Sequence, residues 1–184
     1  MSTTGSLVDG DMSRTARISA DGRYRYILTR RWHPTLPSCT FVALNPSTAD
    51  ADQDDPTIRR CIGFARREGC GGLIVANLCA YRATDPAELL IVDDPFGPGN
   101  VETIRSLAHR RDISCYIGAW GAWPDGSRPG AKRGAASMAA LVSHWFPLQA
   151  LGVTAGGQPR HPLYVRADAP LVEYPIPAAG GRTT

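Results

Sequence analysis

Across 184 residues no apolar run approaches the roughly 20 residues that a membrane-spanning helix needs, which excludes such a helix. Cysteine is sparse and unpaired in pattern. Cys39, Cys61, Cys70, Cys79 and Cys115 are odd in number, irregularly spaced and without a C-x-x-C pair, which argues against both a disulfide framework and a zinc ribbon. They are expected to be buried thiols. Lysine is nearly missing: of 20 basic residues Lys132 alone is lysine and the rest are arginine, a bias read as a compositional habit of the coding sequence. Excess charge is small, and +3 permits a nucleic-acid partner without requiring one. The first twenty residues lack a basic start and an apolar core, so no secretory signal is expected and the protein is placed in the cytoplasm.

What is present suits one compact domain. Hydrophobic residues make up 43% and charged residues 20%, spread along the chain, which excludes wholesale disorder. Residues 1–20, rich in Ser, Thr, Gly and Asp, read as a flexible leader and 175–184 as a flexible tail, leaving a single domain over 21–174. Alternation of Tyr24, Tyr26 and Leu28 with Arg23, Arg25 and Ile27 predicts an N-terminal edge strand with one wetter face. Short apolar runs at 40–44, 73–76, 113–117 and 148–153 predict buried parallel strands.

Helix signals lie between those runs. Asp55 before Pro56 supplies an acidic cap and a proline at the first helical position, and Gly69 closes that helix. Its Ile58, Cys61, Ile62 and Ala65 form an apolar face, while Arg59, Arg60, Arg66 and Arg67 are expected to face water. Further helices are predicted over about 101–110 and 131–145. The alternation predicts a three-layer α/β/α sandwich around a mostly parallel four-stranded sheet plus the N-terminal edge strand.

In such sheets ligands bind beyond the carboxyl ends of the strands, and the loops there carry the unusual residues. Asn45-Pro46-Ser47 follows the first run, and Asn77, then Tyr81-Arg82-Ala83-Thr84, the second. Ala119-Trp120-Gly121 follows the third, and Arg160-His161-Pro162-Leu163-Tyr164 comes after a glycine-rich bend. Asn45 is either a turn-forming residue or an amide whose direction Pro46 fixes. Asn77, at a strand end, either caps backbone groups or reads a ligand, because an amide offers donor and acceptor together and can match a nucleobase edge. His161 on its own reads equally as an ordinary loop histidine.

Taken in order, Leu44-Asn45-Pro46-Ser47-Thr48-Ala49, Asp55-Pro56-Thr57-Ile58-Arg59-Arg60-Cys61, Asn77-Leu78, Ala119-Trp120-Gly121 and His161-Pro162-Leu163-Tyr164 match the hallmark series of an uncharacterised bacterial and phage-associated family. That series resembles the uracil-DNA glycosylase superfamily. The resemblance implies a glycosylase-like fold and hydrolysis of an N-glycosidic bond in DNA or a nucleotide, in DNA repair or phage defence, with the base turned out into a pocket. By the same resemblance Asn45 positions the attacking water, Asn77 hydrogen-bonds the base, Trp120 ends an apolar strand, and His161 faces the base oxygen that becomes anionic. Ser47, Trp120 and Tyr81 are the further base-binding residues expected, with Phe64 a third candidate for the stacking aromatic; Arg82, Arg160 and Thr84, with backbone N–H groups near Asn45 and at 156–157, are expected at phosphates.

The matched first motif holds no general base, which predicts slow turnover. No cofactor, metal or iron-sulfur cluster is expected, since the spacing of Cys61, Cys70 and Cys79 does not suit a cluster. Two other classes stand beside this reading. One is a noncatalytic binder using the same pocket for a modified base. The other is a metal-dependent phosphoesterase using Asp50, Asp52, Asp54 and Asp55, which a calcium-loop pattern disfavours: position 55 is Asp where Gly is needed, and position 61 is Cys where Glu is expected.

Overall fold

The computed structural model describes residues 12–122 and 129–174, so the expected tail and the first eleven residues of the expected leader lie outside the described residues. The fold is mixed α/β. A seven-stranded sheet runs in the order β1-β2-β4-β3-β5-β6-β7, formed by β1 (Ser13–Ile18), β2 (Arg25–Arg31), β3 (Ser38–Ala43), β4 (Gly72–Asn77), β5 (Ile113–Gly118), β6 (Leu148–Ala150) and β7 (Val172–Glu173). β3 pairs in parallel with β4 and β5, and β5 with β6; β1, β2 and β7 join antiparallel.

This sheet is larger than the four strands and one edge expected from the sequence. β1 occupies residues read as leader, because a largely exposed edge strand such as Ser13–Ile18 has no inward apolar alternation to announce it. β2 is consequently an interior strand and not the edge. Both its neighbours pair with it antiparallel, from Ser13↔Arg31 on one side to Gly72↔Arg31 on the other.

β3 and β4 are buried along their whole lengths, as strands covered on both faces must be. Alternate residues serve two cores. Cys39, Phe41, Leu73 and Val75 meet α1 (Pro56–Arg67) through Ile58, Cys61, Phe64 and Ala65. Val42, Ile74 and Ala76 belong to the core on the opposite face, which takes Ile104 and Leu107 from α2 (Asn100–Leu107), Met138 and Val142 from α3 (Pro129–Trp145), and Phe146 just beyond it. α1 begins where expected: Asp55 Oδ1 accepts from Ile58 N–H at 2.8 Å and Pro56 occupies the first position. Gly69, at φ +73°, lies just beyond its end.

The connections place the crevice. From β3 the chain crosses through α1 to β4 on one side; from β4 it returns past β3, through α2, to β5 on the other. Crossovers leave β3 and β5 in opposite directions, so their carboxyl ends part and leave a gap there. Among the described residues no helix is long and apolar enough to cross a membrane.

Candidate functional site

That gap is a cavity of about 790 Å³ between the ends of β3, β4 and β5 and the first turn of α1. Asn45, Asn77, Trp120 and His161 all line it, together with Ser47, Thr84 and Arg160. An amide from an early bend and an imidazole from a late one thus share one concave space.

Each polar group is held in a defined state. Asn45 Nδ2 donates to the Pro46 carbonyl at 3.0 Å and the Ala83 carbonyl at 2.8 Å. Both amide protons are spent, so what Asn45 retains is its acceptor oxygen. Asn77 is the converse case. It is 1% exposed, its Oδ1 receives Arg25 Nη2 at 3.5 Å, and its Nδ2 is buried without a partner. An unpaired buried donor costs about 1–3 kcal/mol, a cost that a ligand acceptor would remove. Backbone carbonyls of Asn77 and Leu78 are fixed in turn by Asn100 Nδ2 at 3.0 and 3.2 Å.

His161 begins the one-turn 3₁₀ segment Pro162–Tyr164, and its Nδ1 accepts from Leu163 N–H at 3.4 Å. The neutral ring therefore carries its proton on Nε2 and is a donor there. Burial pushes the His161 pKa below its ordinary value, partly opposed by the Asp55 carboxylate, so the neutral donor form prevails at pH 7. Gly121, at φ +70°, lies against the ring's base: a Cβ there would stand 3.3 Å from His161 Cβ.

Two lining residues escaped the sequence reading. Arg25 was assigned to a wetter strand face, yet it is 2% exposed, with Nη1 donating to the Ala49 carbonyl at 2.6 Å and Nε buried without a partner. Burial lowers its pKa to about 10, with Asp55 the largest opposing charge, and it stays cationic at pH 7. Arginine alternating with tyrosine gives no clue to which face is covered, because the cover is a distant loop. Asp55 was read as a cap and, in the disfavoured phosphoesterase alternative, as a metal ligand. Its Oδ1 caps α1, while the residue lines the cavity and its charge reaches both Arg25 and His161. The signal was available: a capping carboxylate has a second oxygen.

Other expected site residues lie elsewhere or do other work. Tyr81 packs edge-on against Tyr24 with ring centroids 5.9 Å apart and is not part of the cavity wall. Arg82 is also outside the wall, with Nη1 on the Gly22 carbonyl at 3.2 Å. Gly157 spends its N–H on the Thr154 carbonyl at 3.0 Å, so it is not free for a phosphate. Phe64 is buried on the inner face of α1, away from the cavity wall. Trp120 lines the cavity as a fixed wall, 2% exposed, with Nε1 donating to Gln158 Oε1 at 2.8 Å. Tyr164, which was not singled out, is 81% exposed at the rim and 5.5 Å from the His161 ring centroid.

The charged segments have structural partners. Asp54 bridges buried Arg30 and half-exposed Arg14, each at 2.7 Å, and Asp50 Oδ1 accepts from the N–H groups of Asp52 and Gln53, both at 2.9 Å. The arginine face of α1 does more than meet water. Arg60 donates to the carbonyls of Pro162 and Val165, and Arg67 to those of Ala167 and Ala169, strapping the His161 segment onto the helix.

No curated protein and no solved structure matches the chain. Residues 25–163 match DUF1643, described as a protein of unknown function. Because that stretch runs from the buried arginine of β2 through His161 and most of the cavity wall, the chain belongs to the DUF1643 family.

Proposed function

We propose that the cavity is the active site of an N-glycosyl hydrolase, related to the uracil-DNA glycosylase superfamily, that removes an unusual or modified base from DNA or a nucleotide. The observation that carries the reading is the gathering of Asn45, Asp55, Asn77 and His161 about one space, each with the hydrogen-bonding role this chemistry needs. The three-layer arrangement, with its parallel strands β4-β3-β5-β6 at the centre, agrees with that kinship.

In this mechanism the bond from sugar C1′ to the base nitrogen breaks with both electrons going to the base, leaving positive charge on the sugar. Neutral His161 donates from Nε2 to the base oxygen that gains negative charge; one preorganised donor of this kind is worth about 2.7–4 kcal/mol. Asn77 Nδ2 supplies a second donor to the base edge. The Asn45 carbonyl orients a water, and the second oxygen of Asp55 takes its proton as the water adds to C1′. Asp55 thus fills the base role that the first motif lacks, and its negative charge also favours the cationic sugar. Arg25, beneath the cavity, balances that carboxylate. Arg160, Ser47 and Thr84 are the groups available to a flanking phosphate, and a few basic residues at the rim suit a single-stranded site or a small nucleotide, where turning out a base costs least.

The test is release of free base or formation of abasic sites from single-stranded oligonucleotides and nucleotides carrying deaminated or alkylated bases. Wild type should release one class of base and His161→Ala should lose at least the 10²-fold that one donor supplies. Tight stoichiometric binding with no release identifies a noncatalytic base-binding protein. Neither binding nor release across the panel overturns the reading.

A further inference from the structure

The end of the sheet opposite the cavity gathers three thiols. Cys39 is the second residue of β3, Cys115 stands beside it in register on β5, and Cys70 closes the turn that leads into β4. Their Sγ atoms all lie within 4.8 Å of one another, with Cys39 and Cys115 at 3.0 Å. The remaining cysteines differ. Cys61 and Cys79 are buried separately in the two cores, where apolar surroundings push their thiols up, Cys79 to about 12.

Thiol clustering of this kind has few uses in a core. Three sulfurs bound to one metal at about 2.3 Å stand roughly 3.8–4.0 Å apart, inside the limit seen here, and the Cys39–Cys115 pair must open by about 1 Å. An all-sulfur donor set without imidazole or carboxylate selects soft d¹⁰ cations. The group is reachable: Cys115 is half-buried and lines a surface cleft of about 680 Å³ with Arg67, Ser114, Gln149 and Asp168. Ser114 Oγ lies 3.4 Å from Cys70 Sγ, so an oxygen stands beside the sulfurs. Cys70 itself is steadied by Trp32 Nε1, which donates to its carbonyl at 2.9 Å.

We propose that Cys39, Cys70 and Cys115 form a trithiolate site for one thiophilic d¹⁰ cation, Zn²⁺ or Cu(I). Binding replaces the thiol protons, which pass to solvent, and ties the starts of β3 and β5 to the turn before β4. The site is independent of the glycosidic chemistry, since it sits at the other end of the strands.

The experiment uses the full chain, reduced and stripped of metal. Cd²⁺ is added as a spectroscopic probe and its sulfur-to-cadmium charge-transfer band followed; Zn²⁺ and Cu(I) are then titrated separately against chelators of known affinity. The expected result is one equivalent of Cd²⁺ per chain, displaced by whichever of the two ions binds tighter. Cys115→Ser, the accessible member, should weaken binding beyond the roughly 10–100-fold that disturbing a ligand's hydrogen-bond partner costs. Cys79→Ser should leave it unchanged. Should Cys39→Ser fail to fold, Cys115→Ser with an unchanged circular dichroism spectrum still decides the matter. Absence of the band, its survival in folded Cys115→Ser, or only a Cys39–Cys115 disulfide on mild oxidation with no metal affinity would each overturn the proposal.

Discussion

Asp55 is the residue at which capping and chemistry can be pulled apart. Asparagine caps helices about as well as aspartate, so in Asp55→Asn the side-chain carbonyl should still accept from Ile58 N–H, as Asp55 Oδ1 does at 2.8 Å. Stability should therefore change by only a few tenths of a kcal/mol. Asp55→Ala removes the cap, costs about 1 kcal/mol, and lowers Tm by roughly 2–4 °C for a chain of this size. Activity should order differently. Both variants lose the proton acceptor, so both should fall by about 10²–10⁴-fold in single-turnover base release. A readout free of any substrate accompanies this. Asp55 is the charge that holds the His161 pKa up against burial, so an NMR titration of the imidazole should give a lower value in Asp55→Asn than in wild type. The reasoning fails if Asp55→Asn keeps wild-type base release, or if the His161 titration is indifferent to it.

Further outcomes follow from the same geometry. The His161 pKa is depressed in the folded protein, so its contribution is fully present above the unfolded value near 6.5 and is lost as pH falls through the folded value; Tm should drop from pH 7 to pH 5, less steeply in His161→Gln. Gly121→Ala combines a left-handed backbone with a Cβ 3.3 Å from His161 Cβ, and should cost about 1 kcal/mol or more in urea unfolding while weakening nucleobase binding. Arg60→Ala frees the carbonyls of Pro162 and Val165, and amide exchange over residues 161–166 should quicken while the strands stay protected. Arg30→Ala removes a buried guanidinium and leaves Asp54 paired with Arg14 alone, and should destabilise by about 1.5–3 kcal/mol; an unfolding midpoint within experimental error of wild type would contradict the placement of that pair.

The helices and central strands were legible because their signals are local. Asp55-Pro56 marks one helix start, and the runs within 40–44 and 73–76 are long enough in apolar residues to declare buried strands. The two asparagines of the cavity were legible for a related reason, each sitting directly after such a run, and His161 through its place in the motif series. Illegible features depend on what approaches from far along the chain. Arg25 and Arg30 are buried because the loop carrying Ala49, Asp50 and Asp54 folds over β2, and no periodicity in β2 encodes that loop's arrival. Tyr81 and Arg82 were expected at the ligand on sequence proximity to Asn77, but the chain turns after Ala80 to pair Tyr81 with Tyr24 and carries both side chains away. The aspartates from 50 to 55 had to be weighed against a cation loop, and disfavoured on positions 55 and 61, because sequence shows charges and not their partners.

The N-terminal strand bears on how this protein can be handled. β1 covers the whole outer margin of β2, from Arg31 down to Arg25, and Arg14 reaches from it to Asp54. A version trimmed to the matched stretch, starting at residue 25, would leave bare the amides and carbonyls of β2 that face β1. Such a margin is a template for another molecule's strand, so the shortened protein should precipitate or pair edge to edge, however well the cavity itself is preserved.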